Sequence, residues 1–393
     1  MATTSDGAVL APLAGIRAID FGQVWAGPLL GQYLADFGAE VIQVTTPERA
    51  AVQLSGGAGT AGLSPISYSN MGRNRRSLAL DTTSEAGRAV FHRLVAVSDI
   101  VFDNFSPRGA ASVGIDYATL SAVNPRIIVA SLSAAGRDGP WRGLATYGPS
   151  LTALYGIKSL LGYAGETDIQ EDVADLDPTA ATYAFIAVMA ALRARDRTGV
   201  GQFIDMAQGE AGMANLGEAV LEYTLNGRVL GPTGNRDRVM APHGIYPAAG
   251  EDAWIAIAVE SEPAWEALCT ALGAGGLAHD PRFRTMYRRL RAADALDAAI
   301  GALTAAFEVH ALALRLQEAG VAAYPVLDTY GVVADPQLAH RRALYGVAVP
   351  GLEASAILNP TPWLLSATPP TVYGPSREVG ADNEYVLGEV IGG

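Results

Sequence analysis

Apolar positions along the chain alternate between two rhythms. Short apolar runs suited to buried strands, IRAIDFG, EVIQV, SLALD, DIVFDNF, RIIVASLS and FIDMA, are separated by stretches whose apolar residues recur at helical spacing. In the first such stretch Leu29, Leu30, Tyr33, Leu34 and Phe37 share one face, and Gly38 stands where a helix stop is expected. SEAGRAVFHRLVAVS and YATLSAVNP repeat the helical rhythm, and after Pro178 comes a longer segment, AATYAFIAVMAALRARD. Strand, helix, strand in this order predicts parallel βαβ units in a doubly wound α/β domain. Ligands of such a sheet sit beyond the carboxyl ends of its strands, here the loops after Phe21, Phe105 and Ser133.

The texture changes near Asn226. A Gly-rich, Arg-bearing loop leads into the strands HGIYPAAG and AWIAIAV and then a string of helices, which reads as a smaller second domain. From Tyr324 the chain is Pro-rich and extended, so the expected organisation is a large domain over 1–225, a small α/β domain over 226–323, and a tail over 324–393 that returns to the large domain. A length of 393 residues is consistent with two to three cores at roughly 150 residues each. No internal repeat is present.

Composition narrows the chemistry. Half of the residues are hydrophobic and 17% are charged, which places the chain among folded globular proteins. The net charge of −13 opposes general nucleic-acid binding, so an anionic ligand must meet a local arginine cluster. One cysteine, Cys269 in WEALCTALG, excludes internal disulfides and Cys-cluster metal sites, and is read as a small buried residue. The amino terminus lacks the pattern of a signal peptide, and a cytoplasmic location is expected. Uncharged stretches from Ala50 to Gly72 and from Ala354 to Ser376 fail as membrane spans, the first for its Gly and Ser content and the second for its prolines. Both are read as ordered loops or linkers.

Several familiar chemistries find no seat. GAGTAG from Gly57 to Gly62 fits a dinucleotide fingerprint in letters only, because no strong strand precedes it and LSPIS follows where a helix must begin. The single lysine, Lys158, leaves no phosphate loop, and no GxSxG elbow exists. The histidines His92, His243, His279, His310 and His340 lack paired metal-ligand spacing, so no metal site is expected. His243 stands apart, in a turn running into a strand.

The motifs that survive resemble one family. LAGIRAIDFGQVWAGPLLGQYLADFGAEVIQV, MGRNRRSLALD, DNFSPRGAASVGIDY, NPRIIVASLS, RDRTGVGQFIDM, HGIYPAAGEDAWIAIAV and a late TPP occur in the order found in class III CoA-transferases of the CaiB/BaiF type, from about Leu13 to Val390. The resemblance implies a Rossmann-like large domain, a smaller α/β domain, and two chains threaded as an interlocked ring homodimer. It implies coenzyme A and acyl-CoA as substrates, with no permanently bound cofactor.

By this resemblance the attacking carboxylate is Asp177. Locally, ADLDPTAATYAF reads Asp177 as an N-cap with Pro178 as the first helical residue, a place where unpaired N–H groups hold a carboxylate ionised. Asp172 and Asp175 are rivals in a stretch that reads as exposed loop. The mechanism implied runs through acyl-aspartyl anhydrides and an aspartyl-CoA thioester.

The resemblance also assigns coenzyme A contacts to Val24, Trp25 and Ala26 in GQVWAGP, to Arg73, Asn74, Arg75 and Arg76, and to Asn104, Phe105 and Arg108. Guanidinium forks suit the nucleotide phosphates. Trp25 replaces the glutamine of the formyl-CoA:oxalate branch, which counts against oxalate and suits an apolar acyl group. Tyr147 stands where racemase relatives place a histidine, and a phenol is a weak base for an α-proton, so racemisation is the lesser alternative. A noncatalytic CoA-binding partner subunit is the other. Gly234, Asn235, Arg236 and His243 match the mobile loop of the family and are candidates to meet the acid, Arg236 by its charge. Asp382 departs from a position where relatives often carry histidine.

Overall fold

Each strand of the main sheet runs in the same direction because the chain returns through a helix before laying down the next. The computed structural model describes residues 11–55, 70–163, 165, 175–347, 356–358 and 361–392. Six strands, β1 (Arg17–Asp20), β2 (Glu40–Thr45), β3 (Arg76–Ala79), β4 (Ile100–Asp103), β5 (Ile128–Ser133) and β6 (Phe203–Ala207), form a parallel sheet in the order β3-β2-β1-β4-β5-β6. The order reverses between β1 and β4, which makes the carboxyl ends of these two strands the ligand crevice of a Rossmann-like fold.

Helices α1 (Ala26–Asp36), α2 (Pro47–Ser55), α3 (Glu85–Ala96), α4 (Pro107–Ser112), α5 (Tyr117–Val123), α6 (Gly148–Leu154), α7 (Leu176–Thr198), α8 (Gln208–Met213) and α9 (Gly217–Asn226) belong to the same unit. Side chains alternate across the sheet. Ala18, Ile100, Phe102, Ile128, Ala130 and Leu132 pack with Leu30 and Leu34 of α1 and Ala184, Val188 and Ala191 of α7. On the other face Ile19, Ile42, Val101 and Val129 meet Phe91, Leu94 and Val95 of α3 and Leu120 of α5. Strands β1, β2, β4 and β5 are therefore buried on both faces, as their unbroken apolar runs predict, while the edge strand β6 stays half exposed. Local sequence sets the helix starts: Ser84 accepts from the Gly87 N–H at 3.1 Å to cap α3, and Asp116 accepts from the Thr119 N–H at 3.0 Å to cap α5. At the other end of α7, Gly199 takes a left-handed φ of 76°.

The first uncharged stretch is corrected in part: Ala50 to Ser55 is the end of α2, while the rest up to residue 69, including Gly57 to Gly62, lies outside the described residues. Among the described residues no helix is long and apolar enough to cross a membrane.

The chain divides into two compact units. The large unit comprises 1–157, 172–227 and 337–393, and the small unit 158–171 and 228–336. In the small unit β7 (His243–Pro247), β8 (Trp254–Ala258) and β9 (Ala322–Pro325) make an antiparallel sheet in sequence order. Helices α10 (Glu262–Ala271), α11 (Gly275–His279), α12 (Met286–Arg291), α13 (Ala293–Thr304), α14 (Val309–Glu318) and α15 (Thr329–Ala334) belong to the same unit. Ile255, Ile257, Trp265, Leu268, Ile300, Leu312 and Leu316 form its core. Cys269 is buried there, and burial pushes its thiol up to about 11, as suits an inert core residue.

The last segment is bound to the large unit by polar anchors and one indole. Thr361 Oγ1 donates to Asp36 at 2.7 Å, the Thr371 N–H donates to the Asp36 carbonyl at 2.9 Å, and Asp382 accepts from the Ser77 N–H at 2.9 Å. Trp363 stacks on Phe37 of the α1 terminus and Phe185 of α7, with ring centroids 6.0 and 5.4 Å away.

Candidate active site

The site is assembled where β1 ends. Asp20, fully buried, accepts from the Gly22 N–H at 2.6 Å and pairs with Arg75. The chain then turns through Gly22–Trp25 into α1. Val24 adopts a φ of 61°, a left-handed conformation that a β-branched residue takes only under strong local constraint. A Cβ on Gly22 would lie 2.6 Å from the Gly27 carbonyl carbon, and one on Gly27 would lie 2.5 Å from the Gly22 Cα. Only glycine at both positions allows this crossing of two backbones.

Trp25 occupies the N-cap position of α1 without a capping side chain, so the first N–H groups of the helix need outside acceptors. Asp177 supplies one. Its Oδ1 accepts from the Ala26 N–H at 3.3 Å, which seats a carboxylate against the positive end of α1.

The placement of Asp177 differs from the local sequence reading. Helix α7 begins at Leu176, which is fully buried, and the Thr179 N–H donates to the Asp175 carbonyl at 3.1 Å. Asp175 is thus the N-cap residue, Asp177 lies inside the first turn, and Pro178 follows within that turn, where its missing N–H costs little. The rival Asp172 lies outside the described residues. The protonation expectation also changes. Burial outweighs the single hydrogen bond from Ala26 and pushes the Asp177 carboxyl up to about 6. The group remains mostly ionised at neutral pH and is more basic than an ordinary aspartate.

The loop after β4 closes the other side. Asn104 donates through Nδ2 to the Gln23 carbonyl at 2.7 Å and accepts through Oδ1 from the Gln23 N–H at 2.8 Å. Phe105 is half-buried beside the apolar core, and Arg108 is exposed on α4. Val24, Trp25, Ala26, Asn104 and Asp177 therefore belong to one neighbourhood.

The arginine cluster does not present three free forks. Arg73 is fully buried, donating to both oxygens of Asp36 at 3.2 and 2.6 Å, and Arg75 is buried against Asp20. Asn74 donates to Asp36 at 2.8 Å and accepts from the N–H groups of Tyr373 and Gly374. Arg76 keeps about a third of its side chain exposed while bridging Asp382 and Glu40 over the Tyr385 ring. These carboxylates are 36 to 306 residues away in sequence, so periodicity and motif gave no sign of them.

Tyr147 is exposed at the N-cap position of α6. The remaining candidates belong to the small unit. Gly234 has a φ of 62°, Asn235 donates to the Tyr163 hydroxyl at 3.4 Å, and its carbonyl lies 2.6 Å from His243 Nδ1. Arg236, expected to offer its charge to an acid, is held by Asp294 at 2.5 Å and Asp297 at 2.9 Å. Among the described residues no group of three His, Cys, Asp or Glu side chains is arranged to hold a metal.

The sequence profile of CoA-transferase family III matches residues 13–383. Succinyl-CoA–D-citramalate CoA-transferase of Chloroflexus aurantiacus is 32% identical over 381 residues, covering 97% of this chain and 94% of that protein. Succinate–glutarate CoA-transferase of Agrobacterium fabrum is 32% identical over 391 residues, covering 96% of each. The crystal structure of a CaiB/BaiF family protein from Brucella suis is similar at a TM-score of 0.86 and 30% identity, covering 97% of this chain and 99% of that one. By match, by relatives and by architecture, the chain is an enzyme that belongs to CoA-transferase family III.

Proposed function

We propose that this chain moves coenzyme A from an acyl-CoA thioester to a free carboxylic acid, with Asp177 as the nucleophile. The observation that carries the reading is the Asp177 carboxylate on the Ala26 N–H, at the start of α1 and beside the crevice between β1 and β4. In the first step an Asp177 oxygen attacks the thioester carbonyl, the C–S bond breaks, and the CoA thiolate leaves a mixed anhydride. The thiolate then attacks the Asp177 carbonyl carbon, which releases the donor acid and forms an aspartyl-CoA thioester. The acceptor carboxylate attacks that thioester, displacing thiolate and forming a second anhydride. Thiolate attack on the acceptor's carbonyl yields the new acyl-CoA and restores Asp177. No water, electron or proton is consumed overall, so exclusion of water is the main demand on the site.

Arg108 and Arg76, which reach the surface, are the cations we assign to the phosphates of coenzyme A. Trp25 offers an apolar wall to the acyl chain. The two relatives above carry the names of dicarboxylic acids, so succinyl-CoA with a four- or five-carbon dicarboxylate is the first pair to test. Assembly as an interlocked homodimer, and work in the reducing cytoplasm with Cys269 kept as a thiol, complete the proposal.

The test is replacement. Asp177→Ala should lower CoA exchange by at least about 10³-fold while acyl-CoA still binds. Full exchange in this variant removes Asp177 from the mechanism.

A further inference from the structure

We propose that Asn104 is a positioning residue for CoA transfer: its carboxamide clamps the backbone of Gln23 so that the Ala26 N–H stays aimed at Asp177. This rests on the reading of Asp177 as nucleophile. The sequence reading gave Asn104 to coenzyme A, but its acceptor and its donor are engaged with the Gln23 N–H and carbonyl, at 2.8 and 2.7 Å. The side chain thus imitates a neighbouring strand just where β1 has ended.

Four features make the clamp consequential. The turn it holds is strained at Val24, immediately after Gln23, and a strained turn relaxes when its restraint is removed. Gly27, in the first turn of α1, leaves the space that Asn104 fills: a Cβ there would lie 3.1 Å from Asn104 Oδ1 and 3.2 Å from its Cγ. The contact at stake is long, 3.3 Å from the Ala26 nitrogen to Asp177 Oδ1, so a small rotation of the turn breaks it. Asp103, one residue earlier, anchors the other side of the clamp through Ser131 at 2.6 Å and through the Phe105 N–H at 2.9 Å.

The experiment compares wild type, Asn104→Ala and Asn104→Asp in steady-state exchange and in backbone hydrogen exchange. Asn104→Ala should lower kcat by about 10- to 100-fold, the cost of misplacing a reacting group by about an ångström. KM for acyl-CoA should change much less than kcat, since the cations assigned to the phosphates, Arg76 and Arg108, lie outside the loosened turn. Loss of the Ala26 hydrogen bond leaves burial of Asp177 less opposed, so the acid limb of kcat should move to higher pH relative to wild type. That comparison cancels titration of the substrate's own phosphate. Amide exchange at residues 22–27 should quicken while the sheet core stays protected. Asn104→Asp keeps the acceptor for the Gln23 N–H and should fall between the two; it decides the matter if the alanine variant does not fold.

A raised KM with unchanged kcat would make Asn104 a coenzyme A contact and overturn the proposal. So would unaltered amide exchange at residues 22–27. The Asp177→Ala variant is measured alongside. Its full activity would sink the nucleophile, whereas an inactive Asp177→Ala with an unaffected Asn104→Ala would sink the clamp alone.

Discussion

At the scale of single residues, the proposed chemistry turns on how one carboxylate is solvated. Asp177 gains one backbone hydrogen bond at a helix end and loses most of its water, and the loss prevails, raising the group from 3.8 to about 6. Attack requires the ionised form. The acid limb of kcat/KM should therefore bend near pH 6, falling about tenfold per unit below it, where an ordinary aspartate would hold its rate to about pH 5. A pH–rate profile that stays flat to pH 5 contradicts this. Stability carries the opposite sign. A folded-state value above the unfolded one means that the native protein binds the proton more tightly, so stability present below about pH 4 is lost as pH rises through about 6. Asp177→Asn should thus stabilise the fold at pH 7.5 by roughly 1–2 kcal/mol, with the gain vanishing near pH 4, measured by urea unfolding at both pH values.

At the scale of elements, α1 is held at both ends by groups distant in sequence. Its start meets Asp177 and the Asn104-clamped turn, and its last residue, Asp36, collects Arg73, Asn74 and Thr361. Removing Asp36 would leave the fully buried Arg73 without its carboxylate. Asp36→Ala should cost about 3–5 kcal/mol in urea unfolding. Arg236→Ala, by contrast, breaks two ion pairs, to Asp294 and Asp297, on a solvent-exposed guanidinium of the small unit and should cost only about 1 kcal/mol. Equal costs for the two would contradict this ranking. The elements themselves were legible: β1, α1, β2, α3, β4, β5 and α7 each fall on a predicted run, because parallel strands buried on both faces must be continuously apolar. Helix α2 was missed because its second part, Ala50 to Ser55, belongs to an uncharged stretch that goes on into Gly and Ser. The start of α7 was misplaced because Asp-Pro imitates a cap and first residue, while the buried Leu176 begins the helix one residue before Asp177.

At the scale of the whole molecule, the family and its parallel sheet could be read from ordered motifs, while the loops after Phe21, Phe105 and Ser133 were narrowed to the ends of β1 and β4 only by the strand order of the sheet. The partners of the arginines could not. Arg73, Asn74, Arg75 and Arg76 look in sequence like a phosphate clamp, yet three of the four are folded into the interior on Asp36 and Asp20. Guanidinium recognises carboxylate and phosphate by the same fork, so sequence alone does not separate the two uses. The engagement of Asn104 with the Gln23 backbone was hidden for a similar reason, since an amide that holds a backbone is spelled like one that binds a ligand. The proposed interlocked homodimer would be a particle of twice the chain mass in light scattering that does not exchange subunits without unfolding. Ready exchange with a tagged copy would show that the chains are not threaded.

Peptide mass spectrometry during turnover reaches the central claim most directly. With succinyl-CoA, a dicarboxylate acceptor and hydroxylamine present, the peptide spanning Asp177 should carry the hydroxamate that forms when an aspartyl anhydride or thioester is intercepted, and the modification should need acyl-CoA. Active enzyme whose Asp177 peptide stays unmodified, or a hydroxamate on another carboxylate, contradicts the account.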